Sequence, residues 1–168
     1  SGDTESKEGP TYQDRLYLND GKANFHKSKN LLPEITSSGS CIAVSDVDGD
    51  GDLDIFRGSR AIPDKYPFPP KSYFLENSGK GQFKDVTSEK AKARLKLGMV
   101  TSAVWVDLNK DKIFELIVVG EWMPVSVFEW KDKNLIPTDP QKYGFSNTEG
   151  WWNKILAEDL NGDGELDL

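Results

Sequence analysis

Asp46-Val47-Asp48-Gly49-Asp50-Gly51-Asp52-Leu53-Asp54 places five carboxylates within nine residues, a stretch that repels itself unless a cation sits among them. The chemistry that suits it is binding of a hard divalent ion. Calcium takes about six to eight oxygen ligands, and acids at alternating positions of a tight loop converge on one point while glycine supplies the turn. The expected ligands are the side chains of Asp46, Asp48, Asp50 and Asp54 with the carbonyl of Asp52. Two further stretches repeat the pattern. In Asp107-Leu108-Asn109-Lys110-Asp111-Lys112-Ile113-Phe114-Glu115 the ligand positions are Asp107, Asn109, Asp111, Ile113 and Glu115. In Asp159-Leu160-Asn161-Gly162-Asp163-Gly164-Glu165-Leu166-Asp167 they are Asp159, Asn161, Asp163, Asp167 and the carbonyl of Glu165.

These loops are not helical calcium hands. That motif needs a bidentate Glu at its twelfth position, where the first loop has Arg57 and the second Val118. Each copy instead has an acid at its ninth position, and in the first two an apolar strand follows at once. The second copy is degraded, because Lys110 and Lys112 replace both glycines, and residues other than glycine are disfavoured at positive φ. Two to three calcium ions are expected, in a structural role. Catalysis would need open coordination positions beside an acid, base or nucleophile, and nothing outside the loops supplies such a set.

Elements that would hold the loops follow from the flanking sequence. Ile42-Ala43-Val44 and Leu53-Asp54-Ile55-Phe56 bracket the first loop, Ala103-Val104-Trp105-Val106 and Leu116-Ile117-Val118-Val119 the second, and Ile155-Leu156-Ala157 precedes the third. These runs are rich in β-branched and aromatic residues and read as strands. Between them lie hairpins. Leu16 to Phe25 matches Phe74 to Phe83 at a shift of 58 residues, each with a turn of Asn, Asp, Ser and Gly that favours positive φ. A third hairpin runs from Val125 to Ile136. The loops start 61 and then 52 residues apart, a period with about four strands that suits propeller blades. The expected organisation is a disordered tail at 1–10 and propeller repeats over 11–168: a hairpin at 15–26, repeats with calcium loops at 40–88 and 98–140, and a partial repeat at 150–168. The proline-rich stretch 60–70 reads as an extended surface connection, residues 88–96 as one or two helical turns, and the aromatics of 143–152 as packing between blades.

Composition narrows the function. The 168 residues are 36% hydrophobic and 11% aromatic, enough for a core, and carry a net charge of −7 with a pI near 4.8. An acidic chain without a basic cluster does not fit a nucleic-acid partner. No apolar run reaches the roughly 18–20 residues of a membrane-spanning helix, so no membrane insertion is expected. Cys41 has no second cysteine to pair with and reads as a small buried residue of a strand. The start, Ser1 to Pro10, resembles a trimmed end rather than a leader peptide.

The Asp-x-Asp-Gly-Asp-Gly-x-x-Asp loop between strands resembles the calcium-binding FG-GAP/VCBS repeats of integrin α-type propellers. The segments Asp14 to Gly21, Gly58-Ser59-Arg60, Tyr66-Pro67, Pro70 to Tyr73, Gly98 to Thr101, Val118 to Pro124 and Gly150 to Asn153 are similar to VCBS-repeat proteins that often carry an ASPIC/UnbV domain, related to cartilage acidic protein. The resemblance implies an all-β partial β-propeller of about two full four-stranded blades and two partial ones, a fragment of a larger propeller, since a propeller needs about four blades or more. It further implies a calcium-stabilised, non-catalytic module outside the cell, at the cell surface or in the periplasm, binding a protein or a glycan. Its open blade edges would allow self-association. Two alternatives remain at this point: part of a calcium-dependent polysaccharide lyase, with Lys110 or Arg60 near the metal, and a spacer with no ligand.

Overall fold

The alternation of β-branched runs with turn residues produces short antiparallel strands, and the fold is all-β. A computed structural model describes residue 7 and residues 9–91 and 95–168. Strands β1 (Tyr17–Asn19) and β2 (Phe25–Lys27) form a hairpin. β3 (Cys41–Ser45), β4 (Asp54–Gly58), β5 (Tyr73–Asn77) and β6 (Phe83–Asp85) pair in sequence order as a four-stranded antiparallel sheet. β7 (Met99–Val106), β8 (Glu115–Met123), β9 (Ser126–Lys131) and β10 (Asn134–Thr138) repeat that order in a second sheet. A short β11 (Gly150–Trp151) pairs with the end of β8.

The core lies between the two sheets. Phe56 and Phe74 of the first, Leu116, Val118, Phe128 and Leu135 of the second, and Val86, Leu95 and Val100 are buried together. A second cluster, Val106, Ile117, Val119 and Val125, lies on the other face of the second sheet under Phe145, Ile155 and Ala157. Leu116-Ile117-Val118-Val119 is therefore apolar at every position because both of its faces are covered. β3 instead alternates, with Ala43 buried and Ile42 and Val44 exposed. Gly120 of β8 has a packing reason: a Cβ there would lie 2.1 Å from the Met99 carbonyl oxygen.

Arg57, which follows the first acidic loop, anchors the N-terminal segment. Its side chain is 2% exposed. Nε donates to Asp14, Nη1 to Ser59 Oγ at 2.8 Å, and Nη2 to the Ser37 carbonyl at 2.6 Å. The guanidinium also lies 5.4 Å from the Tyr73 ring centroid. A buried cation is tolerable only when paired and hydrogen-bonded in this way.

Several expectations change in detail. Most of the tail, residues 1–6 and 8, lies outside the described residues, whereas Pro10–Tyr12 make one turn of 3-10 helix with Tyr12 buried. The helical turns expected over 88–96 reduce to α1 (Thr87–Lys90), with 92–94 outside the described residues. The proline-rich stretch is not uniformly extended: Ala61, Pro63 and Pro70 are buried and turns close at Lys65 and Phe68. Proline suits such ends because its ring buries without leaving an N–H unsatisfied. Cys41 is only half-buried. Of the aromatics in 143–152, Phe145 packs as expected, while Trp151 and Trp152 remain 48% and 40% exposed. Strand pairing to β8 and the bond from Trp152 Nε1 to the Thr148 carbonyl at 2.9 Å hold these indoles near the surface.

Candidate metal centre

All three acidic loops are closed by the same backbone register. Ser45 pairs with Asp54, Val106 with Glu115, and an isolated bridge pairs Glu158 with Asp167. The first residue of each loop acts as a hub for backbone N–H groups. Asp46 accepts from Gly49 N at 2.9 Å and Gly51 N at 3.0 Å. Asp107 accepts from Asp111 N at 3.1 Å and Lys112 N at 2.9 Å. Asp159 accepts from Gly162 N at 2.7 Å, Asp163 N at 3.1 Å and Gly164 N at 2.9 Å. Residues three and five of each loop bond two positions ahead, as Asp48 to Asp50 N and Asp50 to Asp52 N. These Asx turns aim the short side chains inward.

Positive φ recurs at two points of each loop: Gly49 and Gly51 at 78° and 94°, Lys110 and Lys112 at 60° and 69°, Gly162 and Gly164 at 81° and 85°. The lysines of the second loop therefore adopt the glycine conformation, at the steric cost of a Cβ in the left-handed region. Lys110 also forms an ion pair with Glu165 of the third loop, which ties the two loops together.

Asp46, Asp48 and Asp50 each bring a carboxylate oxygen within 4.8 Å of the others. Three hard oxygens so placed suit a hard cation better than a soft one. Asp52 is placed apart: its carboxylate lies against the turn at Gly79, leaving its carbonyl as the group with which it would take part. In the other loops the third position is Asn, so Asn109 and Asn161 stand where the first loop has Asp48, and among the described residues only the first loop brings three carboxylates together.

The ninth-position acids are buried or pinned beneath the loops. Asp54 is 3% exposed and accepts from Asn77 N at 2.9 Å. Burial, with the nearby charges of Asp48 and Glu76, pushes its carboxyl up to about 6. Glu115 is 1% exposed and also raised, by burial and by Asp111 and Glu129. It accepts from Leu108 N at 2.9 Å and lies 3.3 Å from the Tyr143 hydroxyl oxygen. Asp167 accepts from Leu160 N at 3.0 Å. Backbone N–H groups of Gly164 and Gly162 hold Asp159 below the usual carboxylate range, and Glu165 N and Asn161 do the same for Asp163.

The second loop has a neighbour that sequence reasoning missed. Tyr143 donates to Glu129 at 2.6 Å, and Lys142 pairs with Glu129 at 2.5 Å. Burial and the Glu129 acceptor push the Tyr143 hydroxyl up to about 12, so it stays a donor to Glu129. Tyr143 lies 28 residues from Glu115, and no local pattern in the sequence links the two.

Sheets of four antiparallel strands in series, each with an acidic loop between its first two strands, define a bladed repeat protein. A family model described as FG-GAP-like repeat matches residues 8–56 and 107–168, more than half of the chain, and the chain belongs to that family. Comparisons with curated proteins and with solved structures returned no match. FG-GAP-like repeats usually occur in extracellular domains and are typically non-catalytic. Among the described residues no helix is long and apolar enough to cross a membrane.

Proposed function

We propose that this chain is a calcium-braced extracellular repeat module that presents its connecting loops to a protein or glycan partner and performs no reaction. The observation that carries the reading is the convergence of Asp46, Asp48 and Asp50 on a loop tied across β3 and β4, directly above the buried Asp54. When bound, calcium supplies the positive charge that these carboxylates lack. Asp46, Asp48 and Asp50 offer side-chain oxygens and Asp52 its carbonyl, while Asp54 holds the loop end against β5 through Asn77. Asp107, Asn109, Asp111, Glu115 and the Ile113 carbonyl do the same in the second blade, and Asp159, Asn161, Asp163, Asp167 and the Glu165 carbonyl in the third loop. Without a cation, like charges at these distances push the first two strands of a blade apart at the loop end.

Thermal unfolding in calcium and in chelator tests the proposal. A ligand at about one hundred times its Kd stabilises by ~2.7 kcal/mol, which for a chain of this size raises Tm by about 5–10 °C. An unchanged Tm would overturn the proposal.

A further inference from the structure

The loops at the opposite end of the sheets hold a second constellation. The acidic loops join β3 to β4 and β7 to β8 at one end, so the connections leaving β4 and β8 lie at the other. There Trp122 is 69% exposed, Tyr66 52% and Trp151 48%. Trp122 and Trp151 meet edge to face with centroids 4.9 Å apart, and Trp122 Nε1 donates to the Tyr66 hydroxyl at 3.5 Å. Trp122 stands between two open clefts of about 320 and 380 Å³, one walled by Tyr66, Pro67 and Glu121, the other by Glu149 and Trp151.

Two features separate this cluster from ordinary exposed aromatics. Trp122 has φ 56°, a left-handed conformation that a bulky residue adopts only at a cost and that concentrates at functional positions. Glu121 is 3% exposed, takes Arg60 Nε on one oxygen at 2.5 Å, and has no hydrogen-bond partner for the other. A buried carboxylate oxygen without a donor is costly, and this residue lines the cleft.

We propose that Trp122, Tyr66 and Trp151 form a platform for a neutral saccharide, with Glu121 and Arg60 as its polar arm. The proposal rests on the interaction-module reading above and names the ligand class. Indole and phenol faces accept the apolar C–H face of a pyranose, and a small turn of the Glu121 carboxylate toward the cleft it lines lets a sugar hydroxyl donate to the buried oxygen that lacks a donor. A proline-rich peptide offers carbonyls but few N–H groups, so it leaves that oxygen unsatisfied. An organic cation favours an enclosed, net negative cage, whereas these clefts are open and Arg60 already neutralises Glu121. Acidic glycans meet Glu149 beside Trp151 and a chain of net charge −7.

Tryptophan fluorescence of the calcium-loaded chain is titrated with maltohexaose, cellohexaose, chitohexaose, a hyaluronan octasaccharide and decaproline. The expected result is a saturable change with at least one neutral hexasaccharide and none with hyaluronan or decaproline. Trp122→Gly, which relieves the left-handed backbone, melts no lower than the parent and weakens saccharide binding at least tenfold. If fluorescence reports the wrong indole, calorimetry with Trp122→Gly and Trp151→Ala gives the same comparison. No response to any neutral saccharide, response to decaproline or hyaluronan alone, or unchanged binding by Trp122→Gly would overturn the proposal. Calcium-dependent melting is read in the same samples, so failure of the metal reading and failure of the saccharide site appear separately.

Discussion

Replacing Lys112 by glycine isolates the steric cost that the second acidic loop bears. Lys112 has φ 69° where the other loops have Gly51 and Gly164 at 94° and 85°, and its N–H bonds Asp107 at 2.9 Å as theirs bond Asp46 and Asp159. A side chain in the left-handed region costs about 1–2 kcal/mol. Glycine gives back about 0.5–1 kcal/mol through the greater freedom of the unfolded chain. The expected net gain of Lys112→Gly over Lys112→Ala, which share the loss of charge, is therefore about 0.5–1 kcal/mol in chelator, or about 1–4 °C in Tm. Lys112 is preferred to Lys110 because the latter also pairs with Glu165. Lys112→Ala keeps the strained φ and loses the same charge, and with it in chelator the attraction of that cation to the loop carboxylates, so it melts below the parent and is the reference for the steric effect. Both variants tighten calcium a few-fold, because a lysine roughly 8 Å from a divalent ion in water-like surroundings repels it by ~1 kcal/mol. Differential scanning calorimetry in chelator and calorimetric calcium titration read the two effects. If Lys112→Gly melts at or below Lys112→Ala in chelator, the claim that this loop stores backbone strain is refuted.

Three other outcomes follow from the packing. Asp14→Asn leaves the buried Arg57 without its carboxylate and costs about 3 kcal/mol in urea unfolding; a loss under 1 kcal/mol would show that Arg57 does not anchor the N-terminal segment. Gly120→Ala forces a Cβ against the Met99 carbonyl and destabilises by about 2 kcal/mol or more, and a Tm equal to the parent's would contradict the close approach. Burial, only partly offset by hydrogen bonds from Ser40 and Gly58, pushes the Cys41 thiol up. Less thiolate is then present at pH 8 than for a free thiol, so iodoacetamide reacts more slowly with the folded chain and the rate goes on climbing past pH 9 instead of levelling there. Alkylation at pH 8 as fast as that of the unfolded chain would rule this out.

What the sequence displayed plainly was local. The acidic loops and the hairpins at 17–27 and 73–85 were readable because Asx turns and glycines act over two to six residues and impose themselves on any context. The four-strand period followed from their spacing. Long-range partners left no such trace. Arg57 was informative in the sequence only as a residue that a helical calcium hand would not have, yet it ties Asp14 and Ser37 to the first sheet. Tyr143 reaches Glu115 and Glu129 through chain folding alone. Trp122, Tyr66 and Trp151 come together from three parts of the chain up to 85 residues apart, and an aromatic met singly in a sequence reads as core. Trp151 and Trp152 read as packing residues by type, whereas pairing with β8 decides which way an indole faces.

The central claim is that the acidic loops hold calcium, and equilibrium calcium titration of the chelated chain, with Asp48→Ala in parallel, tests it most directly. Saturable uptake of two to three ions is expected, with one ion fewer for Asp48→Ala. No uptake at millimolar calcium, or the same uptake by Asp48→Ala, would contradict it.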